Sequence, residues 1–289
     1  MPAPRTTPQR VRLGTRLREL RASRFRSGSA LARHLGWQQT RVSKLELGSQ
    51  LPSPDDLDTW VTATGAGPEV RVELGDLLTQ ARIEYRVWGD AYSSGAIATV
   101  QAEIAALEAE ATVIREYQPA MMPGLVQTPA YARELLSIPG GAILTGATAT
   151  SIEALVTERV KRQELLYQPG RHIQVILGEA ALWTHFGTLD TLRGQLDRLI
   201  VLSGLASIEL SVLPVAQPSP IMPLAGFSIH DNDTVFVETL TGEQRLTDPG
   251  EVAAYTKMFE LLRDATAAGP DAVALIQRIV THLSSCDHP

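Results

Sequence analysis

Positions 38 to 44 read Gln-Gln-Thr-Arg-Val-Ser-Lys, six polar residues around one valine. A glutamine amide can bond bidentately to adenine N6 and N7. A lysine can donate to guanine O6 and N7, and a threonine methyl can meet the methyl of thymine. Each such pairing carries roughly 1 to 3 kcal/mol of base discrimination. Arg10, Arg12, Arg33 and Arg41 have the chemistry to grip phosphates, which fixes register without reading sequence, and Ser27 and Ser43 offer hydroxyls to the same backbone. Polar residues on a short helix ordinarily just face water. Here the charge and the turn signals around the cluster argue for more.

The formal charge of −6 is a sum over two unlike regions. Residues 1–50 hold eleven Arg and Lys against Glu19 and Glu46, a net +9, which leaves fifteen basic and thirty acidic residues, a net −15, in the remainder. A cationic head on an anionic body suits a polyanion held at one end.

The elements that must position the cluster follow from periodicity. Val11, Leu13, Leu17 and Leu20 recur at helical spacing to Ala22. Ser27 is the expected N-cap of a second helix carrying Ala30, Leu31 and Leu35, and Gly36 stops it in a left-handed conformation. A third helix runs from Gln38 to Leu47 with Val42 and Leu45 inward and Gly48 at its end, and Ala32 is small where helices two and three must approach. A fourth starts at Asp55 or Asp56 and carries Leu57, Trp60 and Val61 before Gly65, Gly67 and Pro68 break it. This is the requirement of a helix-turn-helix: a bracing helix, a tight turn, and a second helix whose exposed residues enter the major groove.

Leu13 to Pro54, including Leu31-Ala32-Arg33-His34-Leu35-Gly36-Trp37 and Val42-Ser43-Lys44-Leu45-Glu46-Leu47-Gly48, resembles the XRE or phage-repressor class of regulators. The resemblance implies that Gln39, Thr40 and Lys44 contact base edges while Gln38 and Arg41 lie near the DNA backbone, and that Arg21 and Glu46 form a buried interhelical ion pair. Gly28 departs from the family's pattern, which often has Gln there to bond a phosphate.

Farther along, Tyr117-Gln118-Pro119, Met121-Met122-Pro123-Gly124-Leu125-Val126-Gln127-Thr128-Pro129 and Tyr131-Ala132-Arg133 are similar to a motif of XRE-type regulators from actinobacteria whose C-terminal domain is described as antitoxin-like (WhiJ-like). Counterparts to Glu158-Arg159, Arg162-Gln163, Leu177 to Leu182, Gln195-Leu196, Val212-Leu213-Pro214 and Val237-Glu238 extend the likeness over about residues 80–265. It implies a transcriptional regulator working with a small companion protein encoded nearby. Thr128 is an expected helix cap after the Pro-Gly-Leu corner. Met121, Met122, Leu125 and Tyr131 form either a structural corner or a partner or ligand pocket. Arg159, Arg162 and Gln163 either receive an anionic group there or pair with Glu153, Glu158 or Glu179.

The expected class is α+β. An arm (1–8) precedes an all-helical helix-turn-helix domain of four to five helices (9–69). A helical connector (70–118), interrupted near Gly89 to Gly95, leads to a mixed α+β domain (119–289). Strands are expected at His172–Leu177, Ser207–Leu213, Phe227–His230 and Thr234–Thr239, and helices near Thr191–Ser203, Pro249–Ala268 and Asp271–Ser284, with a loop at Gly140–Thr150.

No nucleophile elbow, phosphate-binding glycine loop or His-Glu-x-x-His helix is present, and Cys286 is the sole cysteine, so no catalytic residue, metal or cofactor is expected. Neither a spanning apolar run nor a signal peptide is visible, so the protein is expected in the cytoplasm and away from membranes. The functional expectation is a repressor that binds duplex operator DNA as a homodimer and whose C-terminal domain binds a companion protein. The alternatives are a small-molecule sensor on the same head, or an antitoxin whose DNA binding is autoregulatory.

Overall fold

The computed structural model describes residues 7–87, 97–140, 148–222 and 224–285. The arm's first six residues, the Gly89–Gly95 interruption, Cys286 and most of the Gly140–Thr150 loop lie outside them. The chain divides into two units, Met1–Glu84 and Tyr85–Pro289.

Helices α1 (Pro8–Ala22), α2 (Gly28–Leu35), α3 (Gln39–Glu46), α4 (Pro54–Thr64) and α5 (Pro68–Ala81) make up the first unit. Local chemistry sets their ends. Thr7 caps α1, with Pro8 at its first position, and Ser27 Oγ accepts from the Ala30 amide at 3.2 Å. Gly36 closes α2 with φ 68°, a conformation open to glycine at little cost. The fourth helix begins at Pro54, ahead of both aspartates: Ser53 and Asp56 form a reciprocal capping box around Pro54, so Asp56 is the third helical residue and not the first. Leu13, Leu17, Leu31, Val42, Leu45, Leu57, Trp60 and Leu74 close one core. Within it the Trp60 indole donates to the Leu17 carbonyl at 3.1 Å. A Cβ on Gly14 would stand 2.6 Å from the Glu46 carbonyl oxygen, so α1 and the end of α3 meet backbone to backbone, where only glycine fits.

The expected helical connector over 70–118 is corrected. Residues through Ala81 finish the first unit's fifth helix, and Leu74, Leu77, Leu78 and Ala81 belong to its core. Next come β1 (Ile83–Val87) and α6 (Ile97–Glu110), and Val113–Gln118 is a strand, β2. The Ala/Glu-rich helix signal ends at Glu110, and the β-branched and aromatic Val113-Ile114-Arg115-Glu116-Tyr117 pairs instead with strands on both sides.

The sheet also contains β3 (His172–Gly178), β4 (Ile208–Leu213), β5 (Phe227–His230), β6 (Thr234–Thr239), β7 (Gly242–Leu246) and β8 (Ala267–Ala268), in spatial order β1-β7-β6-β5-β2-β3-β4-β8. β2, β3 and β4 run parallel, and β5 to β7 form an antiparallel meander joined to β2. The remaining helices are α7 (Pro129–Ser137), α8 (Ala149–Arg162), α9 (Glu179–Trp183), α10 (Leu189–Leu202), α11 (Pro249–Asp264) and α12 (Pro270–Ser285). Ile114, Ile173 and Ile208 sit in register on one sheet face, buried with Leu196 and Leu199 of α10 and Leu275 and Ile276 of α12. On the other face Phe227 stacks between Tyr117 and Tyr255 of α11, with centroids 5.6 and 5.0 Å away.

One clasp joins distant chain segments. Asp231, held at φ 56°, accepts from the Thr112 and Val113 amides at 2.9 Å each, and its own amide donates to the Val113 carbonyl at 2.9 Å.

Candidate nucleic-acid interface

Helix α3 sits on α1 through Val42 and Leu45, both almost fully buried, which turns Gln39, Thr40, Ser43 and Lys44 outward as a stripe at i, i+4 spacing. Gln38 is the N-cap residue, with no side-chain cap bond, so its amide is left for another use. Gln38, Gln39, Thr40 and Lys44 are exposed, and Ser43 is half-buried.

The intended phosphate grips divide. Arg12 and Arg33 are exposed, while Arg10 is half-buried with its Nε enclosed. Arg41 lies 4.5 Å over the Trp37 ring and donates from Nη2 to Asp56 Oδ1 at 2.7 Å, which holds its charge beside α4. Ser27 spends a lone pair on the Ala30 amide and keeps its hydroxyl proton available. Gly28 stands where a Cβ would come 3.3 Å from Val42 Cγ1, a close contact that a side chain there would have to accommodate. Beneath the stripe, Arg21 Nε and Nη2 donate to Glu46 Oε1 and Oε2 at 2.5 and 3.2 Å, forming a bidentate pair between α1 and α3.

The second unit holds a cavity of about 640 Å3, within the range of small-molecule sites. Of the seven residues expected around a pocket, Met121, Leu125, Arg159 and Arg162 line it. The other three do not. Met122 and Tyr131 are core, joined by the Met122 amide donating to the Tyr131 hydroxyl at 3.2 Å. Gln163 is buried and donates to the Gln127 carbonyl at 2.6 Å. The arginine pairings also differ from expectation. Arg162 Nε donates to Glu108 Oε2 at 2.7 Å, and Arg159 Nη1 to Gln127 Oε1 at 2.7 Å. Glu153 is bound to Arg133, Glu158 to Lys161, and Glu179 accepts from the Val215 amide.

Sequence spacing gave no hint of Glu108, Glu116, Glu238 and Glu243, which line the same cavity. Burial pushes the Glu116 carboxyl up to about 8, and the charges of Glu238 and Glu108 add to the shift against smaller opposing effects of Gln118 and Arg162. Burial lowers His230 to about 4, against Asp231 and Asp233. The signs are opposite. The favourable contribution of Glu116 is fully present below its ordinary 4.5 and is lost as pH rises through about 8. That of His230 is lost as pH falls below 6.5 through about 4. Thermal melts of the chain are therefore expected to weaken as pH rises from 6.5 past 8, with Glu116→Gln removing most of that slope. A native chain as flat with pH as the variant would contradict the assignment.

Among the described residues no group of three or more His, Cys, Asp or Glu is placed to hold a metal, and no helix is long and apolar enough to cross a membrane.

Residues 12–82 match a helix-turn-helix domain (HTH_31). Residues 101–278 match a domain of unknown function (DUF5753). Among solved structures, the chain is similar to a phospholipase D family member, Nuc from Salmonella typhimurium, at 12% identity over 65% of this chain and 95% of that one, with a TM-score of 0.33. It is also similar to TrmBL2, an archaeal chromatin protein, at 11% identity over 74% of this chain and 69% of that one, with a TM-score of 0.32. Both likenesses are too distant to bear on activity. No curated protein matches the chain. With a helix-turn-helix at its head and the larger match running over more than half its length, the chain belongs to the DUF5753 family.

Proposed function

We propose that the protein is a sequence-specific, duplex-DNA-binding transcriptional repressor of the cytoplasm that works as a homodimer and performs no catalysis. The observation that carries this reading is the outward stripe of Gln39, Thr40 and Lys44 on a helix braced from behind by Val42, Leu45 and the Arg21–Glu46 pair. Base edges are read by the stripe, and Arg12, Arg33, Gln38 and Ser27 set position on the phosphates, with Arg10, Arg41 and Ser43 at the margin. One short recognition helix covers only a few base pairs, so paired half-sites are needed for operator-level specificity.

The second unit receives the signal. The XRE-type, antitoxin-like resemblance supports a companion protein encoded nearby as the input. The cavity of about 640 Å3 supports a small molecule, the reading this geometry favours.

Gel-shift titration against the DNA upstream of the protein's own gene tests the proposal, with and without the neighbouring small protein. Saturable binding that prefers this DNA over scrambled duplex is expected. Equal affinity for both would sink the reading. In the same assay Arg33→Ala is expected to weaken binding to every sequence. It should also shrink the slope of log K against log salt by about 0.9, since one phosphate is no longer neutralised. An unchanged slope would remove Arg33 from the interface.

A further inference from the structure

The register of the sheet brings one set of side chains to a single face. Glu116 of β2 pairs with Ser228 of β5, which pairs with Phe236 of β6; two residues on, Glu238 of β6 pairs with Glu243 of β7. Because alternate residues share a face, Glu116, Ser228, Phe236, Glu238 and Glu243 form the floor of the cavity. Ile104 and Leu107 of α6 and Met121 and Leu125 of the corner supply apolar walls.

Among the described residues that line the cavity, Arg162 is paired with Glu108 and Arg159 is engaged with Gln127, which leaves Glu116 and Glu238 facing the cavity without an ion-pair partner. Glu116 has one weak bond, from Gln118 Nε2 to Oε1 at 3.4 Å, and its other oxygen has no partner among the described residues. The Glu238 carboxylate likewise has no hydrogen-bond partner among them, and it stands close enough to Glu116 to raise the cost of ionising that group. Two half-buried carboxylates side by side, offset only by a smaller effect of Arg162 on Glu116, are costly to ionise together, and the usual remedies are a proton or a cation.

We propose that this cavity binds a small organic cation, an ammonium-bearing molecule with an apolar body whose charged end lies between Glu116 and Glu238 and whose body packs on Ile104, Leu107, Met121 and Leu125. The ammonium supplies the missing countercharge and three donors to carboxylate oxygens that lack partners. An anion of the same shape meets the charge of Glu238 and gains no countercharge. A neutral analogue gains only the apolar burial. Burial raises the Glu116 carboxyl to about 8, so an ammonium placed beside it favours loss of that proton to solvent. The biological meaning, an effector of the DNA-binding head, rests on the second unit being the signal receiver; the binding itself does not.

The test uses the full-length chain without DNA and three probes of matched shape: n-octylammonium and n-octanoate, each below its micelle concentration, and 1-octanol below its solubility limit. Calorimetric titration is expected to give saturable binding of octylammonium, about tenfold or more tighter than either analogue. Proton release is expected as well, seen as a difference in apparent heat between two buffers of unlike ionisation enthalpy. Glu116→Gln and Glu238→Gln are each expected to weaken octylammonium by about tenfold without strengthening octanol. Octanoate or octanol binding as tightly as the amine, no saturable binding of the amine, or variants that bind it as the native chain does would each overturn the proposal. The probe comparison on the native chain stands even if a variant fails to fold. Failure here would leave the gel-shift result untouched, and the converse also holds.

Discussion

Replacing Glu46 by alanine is expected to cost the N-terminal unit about 3 to 5 kcal/mol, the range seen when one member of a buried ion pair is removed. The side chains of Arg21 and Glu46 are 12% and 8% exposed, so the guanidinium left behind sits largely out of water. It would retain only the Phe25 carbonyl, 3.3 Å from Nη1. Arg18, 3.5 Å from the same carboxylate but half in solvent, adds little. An 84-residue unit holds on the order of 0.05 to 0.15 kcal/mol per residue, so the loss consumes much of its stability. Urea unfolding is expected to show an early transition for this unit and an unmoved one for the rest, with specific DNA binding lost at moderate temperature. Glu46→Gln keeps the shape and one acceptor, and a smaller drop is expected. The paired change Arg21→Met with Glu46→Leu removes both charges together and is expected to recover a large share of the loss. If both Glu46 variants melt like the native chain, the pair does not hold α3 in place.

The second large effect concerns recognition, not folding. Gln39→Ala combined with Lys44→Ala removes the two side chains proposed to read base edges, each such contact worth roughly 1 to 3 kcal/mol of discrimination, and leaves the buried side of α3 untouched. Affinity for the operator is expected to fall roughly 30-fold to 10⁴-fold, approaching the nonspecific floor, while affinity for scrambled DNA changes far less. Arg12→Ala provides the contrast, because removing a phosphate grip lowers both affinities together. Competition gel shifts with specific and scrambled duplex separate the two patterns. Undiminished preference in the double variant would place base reading elsewhere on the unit.

Features written within a few residues were legible in the sequence. The Ser27 cap, the Gly36 stop and the inward Val42 and Leu45 depend on local spacing, and each stands where the periodicity put it. The Arg21–Glu46 pair, 25 positions apart, came only through the family resemblance. Strand β2 was missed because an Ala/Glu-rich helix runs up to it and its five-residue core carries charges at Arg115 and Glu116, which blurs the alternation a strand should show. β7 reads Gly-Glu-Gln-Arg-Leu, with nothing apolar until its last residue, and takes its place from neighbours β6 and β1, which local spacing does not reveal. The cavity was half legible. Met121 and Leu125 follow from the corner motif and Arg159 and Arg162 from the basic face read farther along, but Glu116 and Glu238 meet only through β5, whose pairings no spacing reveals.

The Asp231 clasp has a consequence for synthesis. It ties residues 118 and 119 positions apart, and the β2–β5 pairing it anchors cannot form until the chain past residue 230 exists. Five helices with short-range contacts can condense well before that, since local topologies fold orders of magnitude faster than sheets assembled from distant strands. At ribosomal speeds of about 5 to 20 residues per second, a nascent chain carries a finished helix-turn-helix for several seconds before its sheet can close. Any control exerted through the second unit can begin only when that last pairing locks, so the helix-turn-helix is complete in the emerging polypeptide before the unit proposed to govern it.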